Sequence, residues 1–149
     1  QALDLSFIGI IKAFKLFILD VGLLGCMVGL RQRTLIEGND LFVEFKGALT
    51  EQYVCQQLKA NGDLGVYYYT NDRGSCEVDF IVDTGEGVIP VEVKAELNLR
   101  AKSLKSYAEK FTPKVVIRTS MADYKQEVWL VNLPLYAIEQ LTKVTALTQ

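Results

Sequence analysis

The chain contains no histidine. That absence removes Ser-His-Asp and Cys-His catalysis, His-dependent zinc sites, HNH-type nucleases and His-based phosphodiesterases together. Any chemistry must fall to Asp, Glu, Lys and Tyr, an inventory that suits a metal-activated water. Cysteine is scarce: Cys26, Cys55 and Cys76 are odd in number and lack Cys-x-x-Cys spacing. They read as buried or incidental thiols rather than disulfides or zinc ligands. Long hydrophobic runs are missing too. The longest, Leu16 to Leu30, is broken by Asp20 and three glycines and is too short for a membrane span; a strand followed by a core helix is expected there. No Gly-x-x-x-x-Gly-Lys-Ser/Thr loop is present, so nucleotide-phosphate binding of that type is excluded. No basic segment with a following cleavage site points to secretion, and the composition fits an intracellular, cytoplasmic domain.

What is present fits one globular domain. Of 149 residues half are apolar, enough for a proper core. The most informative stretch is residues 77–94, Glu-Val-Asp-Phe-Ile-Val-Asp-Thr-Gly-Glu-Gly-Val-Ile-Pro-Val-Glu-Val-Lys. It predicts two adjacent strands joined by a short acidic turn. Asp79 lies on the first strand, and Glu92 and Lys94 lie on the second. Side chains alternate along a strand, so Glu92 and Lys94 share a face, as do Glu77 and Asp79. Two carboxylates can hold Mg²⁺ or Mn²⁺, which retains waters and takes substrate phosphate as a further ligand. A lysine beside them can neutralise a phosphoryl oxygen or orient the attacking water. In this reading Asp79 and Glu92 are metal ligands, Lys94 is the electrostatic partner and Glu77 is an accessory ligand.

Glu51 is a third candidate. The helical run Leu41–Lys59 carries Gly47, Ala48, Val54, Cys55 and Leu58 at three- and four-residue spacing, with Glu51 inside that stripe. A carboxylate there is costly unless paired or metal-bound. The competing account puts Glu51 at the stripe margin, reaching solvent or a lysine.

The remaining pattern predicts a strand at 15–19, Asp20 capping a helix over 21–30, and a loop over 31–40. Further strands are expected at 66–70, 114–119 and 127–131, with helices at about 100–111 and after Pro134. Pro90 cannot donate to a sheet ladder and should mark a strand start, a bulge or an edge. The result is an α/β fold, a mixed central sheet flanked by helices.

Charge is uneven. Residues 94–118 hold seven basic and two acidic side chains, a local +5 in a chain of net charge −2. Arg100, Lys102, Lys105 and Lys110 lie mostly off the apolar stripe of the predicted 100–111 helix, whose Leu104, Tyr107, Ala108 and Phe111 should be buried. Arg100, Lys102 and Lys105 are therefore candidate phosphate-backbone contacts, against the plainer reading of a solvated helix face. Tyrosines 67–69 could stack on bases or simply fill the sheet face.

Glu51, Asp79 and Glu92-Val-Lys94 resemble the helix acid, strand Asp and Glu-x-Lys of the PD-(D/E)xK, restriction-endonuclease-like superfamily. The blocks Phe14–Leu24, Glu51–Val54, Glu77–Val82, Ile89–Lys94 and Leu133–Tyr136 together resemble the C-terminal domain that follows the ATPase module in many predicted bacterial and archaeal AAA-type ATPases. The resemblance implies a nuclease-like domain over 37–149 and an N-terminal strand-helix segment over 1–36 linking to a missing ATPase module. ATP would belong to that absent half, and the start at Gln1 without Met reads as an excised fragment. Three functions are expected to compete: a Mg²⁺- or Mn²⁺-dependent phosphodiesterase acting on DNA, a nuclease-fold module that binds DNA without cleaving it, and a domain that oligomerises the ATPase. A membrane partner is not expected.

Overall fold

The computed structural model describes residues 14–30, 40–60, 62–71, 74–95 and 101–147, with the side chains of 40–44 and 145–147 left aside. Arg100 lies outside the described residues, as do parts of the 1–36 segment and of the 31–40 loop. The elements are α1 (Val21–Met27), α2 (Asp40–Ala60), β1 (Gly65–Thr70), β2 (Glu77–Asp83), β3 (Val88–Lys94), α3 (Lys102–Phe111), β4 (Ile117–Ser120), β5 (Lys125–Gln126) and β6 (Val131–Pro134), then a 3₁₀ turn (Leu135–Gln140) and α4 (Leu141–Leu147). The fold is mixed α/β. Six strands form one sheet in the order β1-β2-β3-β4-β6-β5. Pairings β1–β2, β2–β3 and β5–β6 are antiparallel; β3–β4 and β4–β6 are parallel.

Two apolar layers sandwich the sheet. Phe80, Val82, Val91, Val93, Ile117 and Leu133 pack with Val54 and Leu58 of α2 and with Ile138 and Leu141. On the opposite face, Val78, Ile81, Val116 and Leu130 pack with Leu104 and Tyr107 of α3. The predicted stripe of α3 holds at Leu104 and Tyr107, whereas Phe111 remains 37% exposed at the helix end.

Four expectations are corrected. Residues 15–19 form no ladder; the carboxamide of Gln52 instead accepts from the Ile18 N–H (3.0 Å) and donates to the Ile18 carbonyl (2.7 Å), standing in for a neighbouring strand. The backbone is still extended enough to turn Lys15 and Phe17 inward and Phe14 and Leu16 outward. The stripe of α2 fails at Gly47 and Ala48, both exposed. The 21-residue helix runs about 31 Å against about 23 Å for the seven-residue strands, and its first buried residue among those described is Gln52. The last long strand is Val131–Pro134, because 127–130 closes a turn through the Glu127 N–H to the Leu130 carbonyl at 2.8 Å. Finally, Pro90 is internal to β3. It lies opposite Ile81, one residue before the parallel pairing with β4 begins at Val91, so the missing N–H falls where no β4 residue is paired.

Among the described residues no helix is long and apolar enough to cross a membrane. The three thiols are free, with Cys55 buried, Cys76 half-buried and Cys26 exposed.

Candidate functional site

Register positions Asp79. Tyr67 pairs with Ile81 and Tyr69 with Val78, so Asp79 and Phe80 together face the single residue Tyr68. This is a β-bulge, and it breaks strict alternation: Val78 packs on the α3 side, Phe80 on the α2 side. The irregularity falls on β2 at Asp79, and no register shift occurs at Pro90 before Glu92. Beyond the Phe80–Val91 pair, β2 and β3 are no longer in register contact. There the Val93 N–H donates to Asp79 Oδ2 at 2.8 Å, a side-chain substitute for a ladder bond.

The other carboxylate oxygen faces a cation. Lys15 Nζ lies 3.2 Å from Asp79 Oδ1, 3.2 Å from Glu51 Oε2 and 2.8 Å from Glu77 Oε1. Three carboxylates, one from α2 and two from β2, thus converge on one ammonium. Lys15 was not singled out by sequence reasoning. The signal was there, since it is the lone charge in the run Phe14–Leu19.

Glu92 and Lys94 pair with each other at 2.7 Å. Val91 and Val93 point into the α2 layer, so Glu92 and Lys94 take the other face of β3. Glu92 is only 8% exposed, and its Oε2 is buried with no hydrogen-bond partner. The Cα opposite Glu92 on β4 is Arg118. Arg118 is buried, with Nε donating to Asn132 (2.9 Å) and a terminal nitrogen to Glu127 (3.0 Å). It therefore leaves the surface basic patch to which its position in the sequence assigns it.

Electrostatics joins the two halves. Burial works against the charge on Lys15, yet the Glu77 hydrogen bond and the Asp79 and Glu51 charges outweigh it, lifting the ammonium above the ordinary lysine range. Burial raises Glu51, and repulsion from Asp79 adds to it against the pull of Lys15. Burial also raises Glu92; its Lys94 hydrogen bond opposes this and the Asp79 charge adds to it. The charges of Asp79 and Lys15 act on both raised acids, Asp79 raising and Lys15 lowering each. Four carboxylates face two ammoniums, leaving the network two negative charges over.

Hard carboxylate oxygens suit a divalent cation chemically. Their spacing suits an ammonium instead: among the described residues no three acidic or thiol side chains close around a metal position. Oxygens 2.8–3.2 Å from Lys15 Nζ would need to draw in by about 1 Å to reach Mg²⁺ distances.

Beside this cluster, a cavity of about 720 Å³ is lined by Lys15, Phe17, Gln56, Lys59, Tyr67 and Tyr68 among others. Tyr67 is half-exposed there, whereas Tyr69 is taken up by edge-on packing against Tyr107 and Phe111. A second cavity of about 560 Å³, between α3 and the 126–131 turn, includes Lys105 and Trp129 but none of the clustered acids. Lys102 and Lys105 are exposed on α3, and Lys105 lies 4.0 Å from Glu109.

No curated protein and no solved structure matches the chain. A family model described as "Domain of unknown function (DUF4143)" matches residues 46–136, taking in the sequence blocks from Glu51 to Tyr136 and leaving the Phe14–Leu24 block outside. With well over half its length matched, the chain belongs to the DUF4143 family.

Proposed function

We propose that this domain is a nuclease-like module whose acid cluster binds Mg²⁺ or Mn²⁺ and acts on DNA phosphodiesters, as the C-terminal part of an AAA-type ATPase. One observation carries the reading: the helix acid Glu51 and the strand acid Asp79 each place an oxygen 3.2 Å from the same cation. Acids gathered from separate elements, with pKa values raised by burial and by one another, are a signal that functional sites share. Asp79 and Glu51 would hold the ion, with Glu92 joining through its unpartnered Oε2. A bound ion would supply an activated water and neutralise phosphoryl charge. Lys94, fixed by Glu92, would meet the scissile phosphate, while Lys102 and Lys105 would hold the backbone further along. The neighbouring cavity and its half-exposed Tyr67 offer room for an unstacked base.

A second reading is favoured by the same Lys15 contacts. A site whose acids already share an internal ammonium suits a nuclease-fold module that binds DNA without cutting it. Incubating supercoiled plasmid and single-stranded DNA with the protein and Mn²⁺ separates the two. Cleavage lost in Asp79→Asn supports the first reading. Metal-independent DNA binding without cleavage supports the second.

A further inference from the structure

We infer that Trp129, at the tip of the β5–β6 hairpin, is a stacking platform for the bases of single-stranded nucleic acid, with Lys105 and Lys114 beside it taking the phosphates. The inference rests on the DNA reading above and adds to it a contact surface on the α3 side of the sheet, apart from the acid cluster. Trp129 is the chain's single tryptophan. It lines the cavity of about 560 Å³ together with Lys105, Lys114, Val128 and Leu130. Leu130 is buried in the layer beneath α3, whereas Trp129 keeps 38% of its surface exposed and Val128 is wholly exposed. The core ends at Leu130 and leaves the indole open to the cavity.

The turn that carries it has an unusual composition. Turn tips draw on Gly, Pro, Asn, Asp and Ser, and Glu127-Val-Trp-Leu130 contains none of them. It is held from beneath instead. The Glu127 N–H donates to the Leu130 carbonyl at 2.8 Å, and the Val131 N–H donates to the Val116 carbonyl at 2.9 Å. Arg118, buried, donates to the Glu127 carboxylate at 3.0 Å and to Asn132 at 2.9 Å. Burying a guanidinium is costly, and here its charge fixes a surface turn. An aromatic face held in this way loses little freedom when a base stacks on it.

Charge selects the ligand. Both glutamates of the lining are engaged, Glu127 by Arg118 and Glu109 by Lys105 at 4.0 Å, the latter an exposed pair that a phosphate can displace. Lys114 is exposed and makes no ion pair among the described residues; the same holds for Lys125, next to the lining residue Gln126. The unpaired charge beside the indole is therefore positive. An open aromatic face flanked by free lysines fits a planar ring joined to phosphate. Bases in a duplex stack on one another and offer no open face, so the fit is to single strands.

Titration with oligo-dT and with a duplex of equal length, without added metal, tests this on wild type, Trp129→Leu and Lys114→Glu. Anisotropy of the labelled oligonucleotides reads affinity. Emission of the single tryptophan, with unlabelled oligonucleotides, reads the platform itself in the wild type. Circular dichroism establishes which variants are folded, and Lys114→Glu, at an exposed position, keeps the test intact should Trp129→Leu fail to fold. The expected result is saturable quenching of Trp129 by oligo-dT, with single-strand affinity weakened about tenfold by Trp129→Leu. Lys114→Glu should weaken it too and lower its dependence on salt. Oligo-dT binding that leaves the wild-type emission unchanged and is equally strong in both variants would overturn the platform while the DNA reading stood. Tighter binding of the duplex than of oligo-dT would overturn it as well. Absence of binding to either oligonucleotide by the folded wild type would remove the DNA reading and the platform with it.

Discussion

Asp79 Oδ2 accepts the Val93 N–H at the point where β2 and β3 part, so one carboxylate both closes a gap in the sheet and anchors the acid cluster. Its two roles separate by substitution. Asp79→Asn keeps an acceptor for Val93, whereas Asp79→Ala leaves a half-buried N–H unpaired. Alanine should cost about 1–3 kcal/mol and asparagine clearly less, read from urea denaturation midpoints. Equal losses would mean that the Val93 bond contributes little.

Glu92 predicts a pH dependence with a definite sign. Burial and the Asp79 charge raise its pKa in the folded state, against the opposing Lys94 hydrogen bond. Below the ordinary carboxylate range both folded and unfolded chains are protonated, and the penalty is absent. As pH rises from the unfolded value through the raised folded value, the unfolded chain ionises first and stability falls. Glu51 contributes in the same direction. Lys15, raised, holds its contribution until strongly alkaline pH. Melting temperature should therefore decline across the acidic side of neutrality, and Glu92→Gln should flatten that decline. A Glu92→Gln protein with an unchanged pH profile would contradict this assignment.

The buried polar network on β4 and β6 is structural. Asn132 Oδ1 accepts from Arg118 Nε and from Ser120 Oγ, both at 2.9 Å, and its amide donates to the carbonyls of Ala122 and Asp123. Asn132→Leu removes all four bonds at a fully buried position. A loss of about 2–4 kcal/mol, measured by denaturant unfolding, is expected. A loss under about 0.5 kcal/mol would show that the network is replaceable by packing.

Lys102 and Lys105 test the DNA-binding half of the proposal. If they contact phosphates, reversing both to Glu should weaken affinity for any DNA sequence and reduce the salt slope by roughly two. Fluorescence anisotropy at several salt concentrations reads both quantities. Unchanged affinity would return α3 to a solvated face.

Much of this was legible in the sequence because it was periodic. The strands 77–83 and 88–94 follow alternation and turn chemistry, and the mixed α/β class follows from the order of elements. Glu51 reaches a lysine, as the competing reading of its place on the helix has it, and its grouping with Asp79 was legible only through the motif resemblance. The partner itself was hidden. Lys15 lies 36 residues from Glu51 and 64 from Asp79, in a segment whose apolar alternation imitates a strand while its hydrogen bonds come from a glutamine side chain. The bulge at Asp79 is likewise a property of register between two strands, which a single strand's pattern does not encode. Arg118 read as surface charge because its acceptor, Asn132, sits on a strand further along the chain.

The central claim is that Asp79 and Glu92 belong to one divalent-cation site. Calorimetric titration of Mn²⁺ into the wild-type chain and into an Asp79→Asn/Glu92→Gln double variant tests it without any choice of substrate. The account predicts saturable binding by the wild type that weakens as pH falls, because protons compete for the same carboxylates, and its loss in the double variant. Binding of equal strength in both proteins would contradict it.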